Sequence, residues 1–387
     1  MAVPIRYNLR NLGVRKATTV MTALGIALTV TTAVFIMALL TGLREAFANT
    51  GDPQNVMVLR KGSTSEVGAG GVGRDAAQVL KTLPGVARSV QGEPLVSGED
   101  ILMIVLPRKG ASGEANVTVR FLSPLGIEMR PEAKLVAGRW FTPGQREVTA
   151  SRSINKRFEH ANIGDTVQIG NRVWNVVGLF DAGGTAHASE MWGDVNQLGT
   201  DFDRTWFSSV LIRSTDRASA EAVRNRVHDD QQLKLNAMLE PDYYASQTNS
   251  GAPIKFVGII VAIIMAIGSC FAAMNTMFAA VVNRAKEIAV LRVMGFSRPS
   301  IMASFVLESL LLSLLGALLG IALMLPFNGM TTGTSNQATY SEVIFSLRMS
   351  PAVLGVAVAF ALSMGFLGGF APAWQAARQN IVTSLRD

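Results

Sequence analysis

The sequence predicts a helical membrane protein: four transmembrane helices, with an α+β extracytoplasmic domain inserted between helices 1 and 2. Three observations carry this. Charged residues make up 16% of the 387-residue chain, against roughly a quarter in soluble domains. The deficit is local, because four windows of about 20 residues hold one charge or none while the stretch from Arg44 to Lys255 is ordinary in composition. Each window, as a helix rising 1.5 Å per residue, can cross a hydrocarbon core of ~30 Å.

Residues 1–16 carry Arg6, Arg10, Arg15 and Lys16 and no acid, and Ile5, Leu9 and Leu12 share one helical face. A short amphipathic helix on the cytoplasmic surface is expected there. The first span is placed at 17–43. Ala46-Phe47-Ala48 has the form of a signal-peptidase site, but the apolar run before it is about 25 residues, longer than a signal h-region of about 7–15. An uncleaved anchor is expected.

Residues 44–252 form the inserted domain. Strands are expected at 55–59, 101–106, 117–121, 166–169, 173–179 and 210–212, from alternating or β-rich runs. Gly170-Asn171 lies between two such runs and predicts a hairpin. Ala222, Val223, Val227 and Leu233 recur at helical spacing, which predicts a helix over 218–239 capped by Ser219. Gly62–Gly73 is rich in Gly and Ser and is expected to be a mobile loop.

The second span is placed at 253–283, a connecting segment at 284–299, the third span at 300–326, a loop at 327–350, the fourth span at 351–371 and a tail at 372–387. The N-terminus and the segment after span two each hold four Lys or Arg, and the loop after span three holds only Arg348. Positive-inside bias then puts both termini and the 284–299 segment in the cytoplasm, and the inserted domain outside. The formal charge of +7 flanks the spans, so it reads as topology and not as a nucleic-acid footprint. The bilayer itself is a partner, and no nucleic acid is expected.

Few motifs point to chemistry. Gly68–Gly73 fits G-x-G-x-x-G, but a polar, loop-like stretch precedes it where a dinucleotide site needs a strand. The chain contains no G-x-x-x-x-G-K-[ST] and no H-E-x-x-H, and His160, His187 and His228 lack ligand spacing. No metal, bound cofactor or catalytic residue is expected, and the chain reads as no enzyme. Cys270, the single cysteine, lies inside span two and reads as a small packing residue. Gly316 and Gly320 in span three, and Gly365 and Gly369 in span four, let helix backbones approach closely in lipid. Glu308, about two turns into span three, needs a partner there; Asn275, Asn283 or a basic loop residue could supply one.

The most informative stretch runs from Phe256 to Ser297. A charge-free membrane run passes, without Pro or an evident breaker, into VVNRAKEIAVLRVMGFS. Ile288, Val290, Leu291 and Met294 are expected on an apolar face; Arg284, Lys286, Glu287 and Arg292 are expected on a charged one. Glu287 can pair with Arg284. Gly295 is placed to end the helix, and Ser297-Arg298-Pro299 to start the next. One continuous helix with a handle at its end is expected.

Asn275, Arg284, Glu287, Ile288, Leu291, Arg292, Gly295 and then Glu308 form a pattern that resembles the MacB/FtsX-like permeases of ABC transporters, the class of LolC/LolE and macrolide exporters. Asn8, Leu9, Lys16, Thr19 and Leu24–Ile26 near the start are similar to that family, as are Pro372, Ala373, Ala376, Ala377, Leu385 and Arg386 near the end. The tail has Asn380–Thr383 where the family often has a Pro. The resemblance implies a permease subunit of the bacterial plasma membrane that works as a homodimer or close heterodimer. It implies a separate cytoplasmic ATPase dimer, supplied with ATP and Mg, docking at Arg284, Lys286, Glu287, Ile288, Leu291, Arg292 and Gly295. It further implies conversion of ATPase closure into movement of the outer domain, for export or extraction of a substrate, with a membrane-fusion or periplasmic partner. The alternatives are a scaffold that activates an outer enzyme and a membrane-anchored enzyme.

Overall fold

The computed structural model describes residues 16–68, 70–110, 112–248, 252–336 and 339–379. The expected N-terminal amphipathic helix, with Ile5, Leu9 and Leu12, and the tail residues Leu385 and Arg386 lie outside them. The first long helix, α1 (Lys16–Ala48), runs past the placed end of span one, through Arg44 and Glu45.

The inserted domain is a sheet with helices on it. Its strands are β1 (Asn55–Arg60), β2 (Val72–Gly73), β3 (Val96–Pro107), β4 (Glu114–Leu122), β5 (Lys134–Gly138) and β6 (Glu147–Ser151), then β7 (Thr166–Ile169), β8 (Arg172–Asp181), β9 (Glu190–Asp194), β10 (Trp206–Phe207), β11 (Ser209–Arg213) and β12 (Leu235–Leu239). Among the described residues, ten of these form one sheet in the order β12-β1-β11-β3-β4-β9-β6-β8-β5, with β7 also on β8. The pairs β4–β9 and β6–β8 are parallel; the others are antiparallel. β2 and β10 pair separately. The helices that follow are α2 (Arg74–Lys81), α3 (Val195–Phe202), α4 (Arg217–Asp229) and α5 (Glu240–Gln247). Alternating inward residues build apolar clusters, two of which cover most of the sheet. One gathers Val117, Val119, Phe121, Val148, Trp174 and Met191. The other packs Val56, Val58, Val210 and Ile212 against Ala220, Val223 and Val227 of α4.

The expected 166–179 hairpin is present, with Ile169 opposite Arg172 and Gly170 at φ +58°. Gly supplies a positive φ at the first central position of a two-residue loop at low cost. Three expectations are corrected. The helix over 218–239 stops at Asp229, and Leu235–Leu239 is a strand. Asp230 accepts from the N–H groups of Gln232 and Leu233, Lys234 sits at φ +50°, and burial then alternates through Leu235, Ala237 and Leu239. The cap of α4 is Asp216, which accepts from Ser219 N–H, and not Ser219. The segment 62–73 is also more anchored than a mobile loop. Ser65 and Glu66 are buried, and a Cβ at Gly71 would strike the Phe207 carbonyl. The helix α2 does open on Gly73, but bends and a turn lie between β1 and Val72.

Beyond the inserted domain come α6 (Ala252–Asn283), α7 (Ala285–Val293) and α8 (Arg298–Met324). The stretch expected as a loop at 327–350 contains a hairpin, β13 (Thr331–Ser335) paired with β14 (Glu342–Ser346). The last long helix is α9 (Pro351–Arg378). Among the described residues, four helices are long and apolar enough to cross a membrane, namely α1, α6, α8 and α9. Small and hydroxyl residues join them. Gly316 and Gly320 of α8 lie on α1, where an added Cβ would come within 2.7 Å of Ile26 and 2.6 Å of the Ala27 carbonyl. Gly365 and Gly369 of α9 lie against Ser313 and Ser309 of α8. Thr22 meets Thr276 at 2.9 Å, and Thr29 meets Ser269 at 2.5 Å, tying α1 to α6. In lipid such contacts replace the hydrophobic drive available in water. These four glycines thus serve packing within the chain.

Candidate coupling site between spans two and three

The boundaries of α7 follow from its sequence. The helix α6 ends at Asn283, and Arg284 leaves helical geometry at φ −110°, ψ 16°. The expectation of one continuous helix is therefore corrected: α6 and α7 are separate helices. The physical reason is a buried charge. The Arg284 guanidinium donates to the Glu308 carboxylate of α8, Nη1 to Oε2 at 2.7 Å, with side chains only 6% and 8% exposed. Two charges at a membrane helix are stable only when paired, and the interruption lets Arg284 turn to its partner. Of the partners considered for Glu308, a basic loop residue is the one found, whereas Asn275 is exposed on α6.

At the other end, Phe296 N–H donates to the Leu291 carbonyl and Gly295 N–H to the Arg292 carbonyl, with Gly295 at φ +93°. This is a Schellman motif, whose left-handed position favours glycine. Ser297 then occupies the N-cap of α8, with Pro299 in the first turn. A four-residue link thus fixes how α7 enters span three.

The expected faces of α7 are corrected too. Ile288 and Ala289 are buried, and Ile288 packs with Met277, Val281, Ile301 and Phe305. Arg284 is buried with them, and Leu291 and Arg292 are half-buried. Lys286, Glu287, Val290, Val293 and Met294 face outward, Val293 at 65% and Met294 at 58% exposure. At about 100° per residue, Val290 lies about 200° from Ile288 and so cannot share its side. The outward face is therefore two charges beside three apolar side chains. Sequence reasoning missed Val293, although a helical wheel centred on Ile288 places it with Val290.

The inserted domain holds a second concentration of charge. Arg120 is buried and donates to Glu66, Glu99 and Glu190. Arg130, also buried, donates to both oxygens of Glu99 and through Nε to His187 Nε2 at 3.3 Å. Burial alone would raise the Glu190 carboxyl, but Arg120 and His187 carry it well below the usual range; Glu66 is likewise lowered against its burial by Arg120. Each of these carboxylates is held by a guanidinium, so the cluster ties strands β3, β4 and β9 together. Among the described residues, no group of three or more His, Cys, Asp or Glu could hold a metal ion.

Four apolar helices, a large α+β domain inserted in the chain between the first and the second, and a short helix between the second and the third define a membrane permease-type subunit. A family model described as the MacB-like periplasmic core domain matches residues 19–230, and one described as the FtsX-like permease C-terminal domain matches residues 259–381. The chain belongs to the MacB/FtsX-like ABC permease family. Among its relatives, a macrolide export ATP-binding/permease protein MacB from Brucella abortus is 25% identical over 93% of this chain and 56% of its own length. The MacB protein of Bdellovibrio bacteriovorus is 23% identical over 99% of this chain and 61% of its own length. The chain thus spans less than two thirds of those relatives. The uncharacterized ABC transporter permease YknZ of Bacillus subtilis is 24% identical, covering 65% of this chain and 66% of that protein. The solved periplasmic region of MacB from Actinobacillus actinomycetemcomitans matches at a TM-score of 0.38 and 10% identity, over 49% of this chain and 90% of that one.

Proposed function

We propose that this chain is the permease subunit of an ATP-driven exporter or extraction machine, coupling a separate cytoplasmic ATPase dimer to movement of its outer domain. The observation that carries this reading is α7. Its inner side is fixed to the span bundle by Ile288 and by the Arg284–Glu308 pair, while Lys286, Glu287, Val290, Val293 and Met294 are presented outward. A mixed charged and apolar patch on an anchored helix suits a protein partner that must both dock and push. ATP and Mg enter through that partner. A second permease copy or close homologue completes the unit, and a membrane-fusion or periplasmic protein engages the outer domain. The protein sits in the bacterial inner membrane with both termini cytoplasmic. The names of the relatives concern macrolide and pyoverdine export, which favours transport over a regulatory scaffold.

The test is purification of the full chain from its own host with its associated ATPase, and comparison with the double variant Val290→Glu, Met294→Glu. Both positions are exposed, so the fold is retained. The reading expects at least tenfold less ATPase turnover to travel with the variant. Equal turnover at equal recovery would remove α7 as the docking site.

A further inference from the structure

Residues 49–55, which lead into β1, close over the first residue of α5 and leave an acidic cavity of about 220 Å³. Asp52, Glu132 and Glu240 line it together with Asn49, Asn55 and Met129. All of them belong to the compact unit of the inserted domain. The loop is shaped to Glu240. Gly51 sits at φ +93°, and a Cβ there would fall 2.9 Å from the Glu240 Cγ. Glu240 is 1% exposed, and its Oε2 accepts from Asp52 N–H at 3.0 Å and from Asn55 Nδ2 at 2.8 Å. Its Oε1 is sealed from solvent and accepts from no described residue. A buried carboxylate oxygen without a donor is costly. Arg130 does not supply one, because it directs its hydrogen bonds to Glu99, His187 and the Gly126 carbonyl.

The three acids differ in what they already hold. Asp52 is paired with Arg213, Nη2 to Oδ2 at 2.9 Å. Glu132 is 34% exposed, and among the described residues its one ion-pair contact is His187 Nε2 at 3.8 Å, too long for a hydrogen bond. That nitrogen accepts from Arg130 instead. Among the described residues, Glu132 and Glu240 are therefore left on one cavity without a hydrogen-bonded cation. They do not converge with a third acid or a histidine on one point, since no such group of three could hold a metal ion among the described residues. A single point cation is a poor match to that spacing, and two charges on a short chain are a good one. An ammonium group brings three donors, and Met129 and Pro53 offer apolar contact to the methylenes between two of them. Among the described residues, no aromatic ring lines the cavity to favour a quaternary ammonium. A cavity of about 150 Å³ holds a benzene-sized molecule, so this one admits a ligand of roughly six heavy atoms or slightly more.

We propose that the inserted domain binds a short aliphatic diamine in this cavity, with one ammonium group on Glu240 and the other on Glu132. Both amines are protonated at neutral pH, as a lysine side chain is. Binding there does not depend on the coupling role given to α7.

The experiment is isothermal titration calorimetry of putrescine into the full chain in phosphatidylcholine nanodiscs, whose lipids carry no net charge and do not compete for the amine. Saturable binding of one putrescine per chain is expected. Butylamine, with the same carbon chain and a single ammonium group, should bind about tenfold more weakly or worse, from the loss of one set of charge-assisted hydrogen bonds. Glu240→Gln keeps the shape of the buried side chain, and Glu132→Gln changes a partly exposed one and leaves the fold intact. Each should weaken putrescine by a similar factor, while Glu93→Gln, at an exposed acid outside the cavity, leaves it unchanged. Absence of saturable binding, equal affinity for butylamine, or an equal loss in all three variants would overturn the proposal. Displacement of putrescine by equimolar calcium would overturn it as well, because the cavity would then be a metal site.

Discussion

The Arg284–Glu308 pair gives the sharpest quantitative test of the site. Both side chains are nearly sealed from solvent and joined by a 2.7 Å bond. Glu308→Gln keeps the shape but leaves Arg284 as a buried charge without its counter-ion. Breaking such a pair from one side costs about 3–5 kcal/mol, because the remaining ion keeps its desolvation penalty. Arg284→Met should cost a similar amount. The double replacement Arg284→Met, Glu308→Leu removes both charges and adds apolar contact beside Ile288 and Phe305. It should be destabilised by no more than about 1–2 kcal/mol, since an apolar pair of similar volume often matches a buried ion pair. The coupling energy of the cycle is then about 4 kcal/mol or more. The assay is reversible unfolding of the chain in mixed micelles, followed by tryptophan fluorescence for the four proteins. Simple additivity of the two single costs would refute the claim that this pair fixes α7 to span three.

Four other outcomes follow from the same geometry. Arg120→Met strands the carboxylates of Glu66 and Glu190, and should destabilise the inserted domain by about 3–5 kcal/mol, read from its thermal midpoint by calorimetry. Glu66 and Glu190 are held below the usual carboxylate range, so their stabilisation is present above about pH 4.5 and is lost as the pH falls through their lowered values. Acid titration of Arg120→Met should therefore show a shallower stability loss than the native chain. Gly320→Leu forces a side chain into the Ala27 carbonyl and Val30, and should lower the unfolding midpoint in micelles while Gly355→Leu, in open space, leaves it unchanged. Asp216→Ala removes the cap of α4 and should lower the urea midpoint of the inserted domain.

What the sequence displayed was periodicity and composition, and those carried the architecture. Charge-free windows located the spans, and Gly170-Asn171 located its hairpin to the residue. What it concealed were long-range pairings. Arg284 reads locally as one more positive-inside residue; only the distance to Glu308, twenty-four positions on, explains why the helix breaks there. Glu66 lies in a run of Gly and Ser and reads as loop, because its burial depends on Arg120 arriving from another strand. The misassigned strand Leu235–Leu239 had its own mark in the alternation of Leu235, Ala237 and Leu239, which the helical spacing of α4 upstream obscured.

A coupling role for α7 requires that α7 and the inserted domain occupy opposite sides of the bilayer. Single cysteines at Lys286→Cys and Lys134→Cys, each with Cys270→Ser, can be labelled by a membrane-impermeant maleimide in right-side-out and inverted vesicles. Both positions are exposed. The expected result is labelling of position 134 only in right-side-out vesicles and of position 286 only in inverted ones. Labelling of both positions from the same side would contradict it.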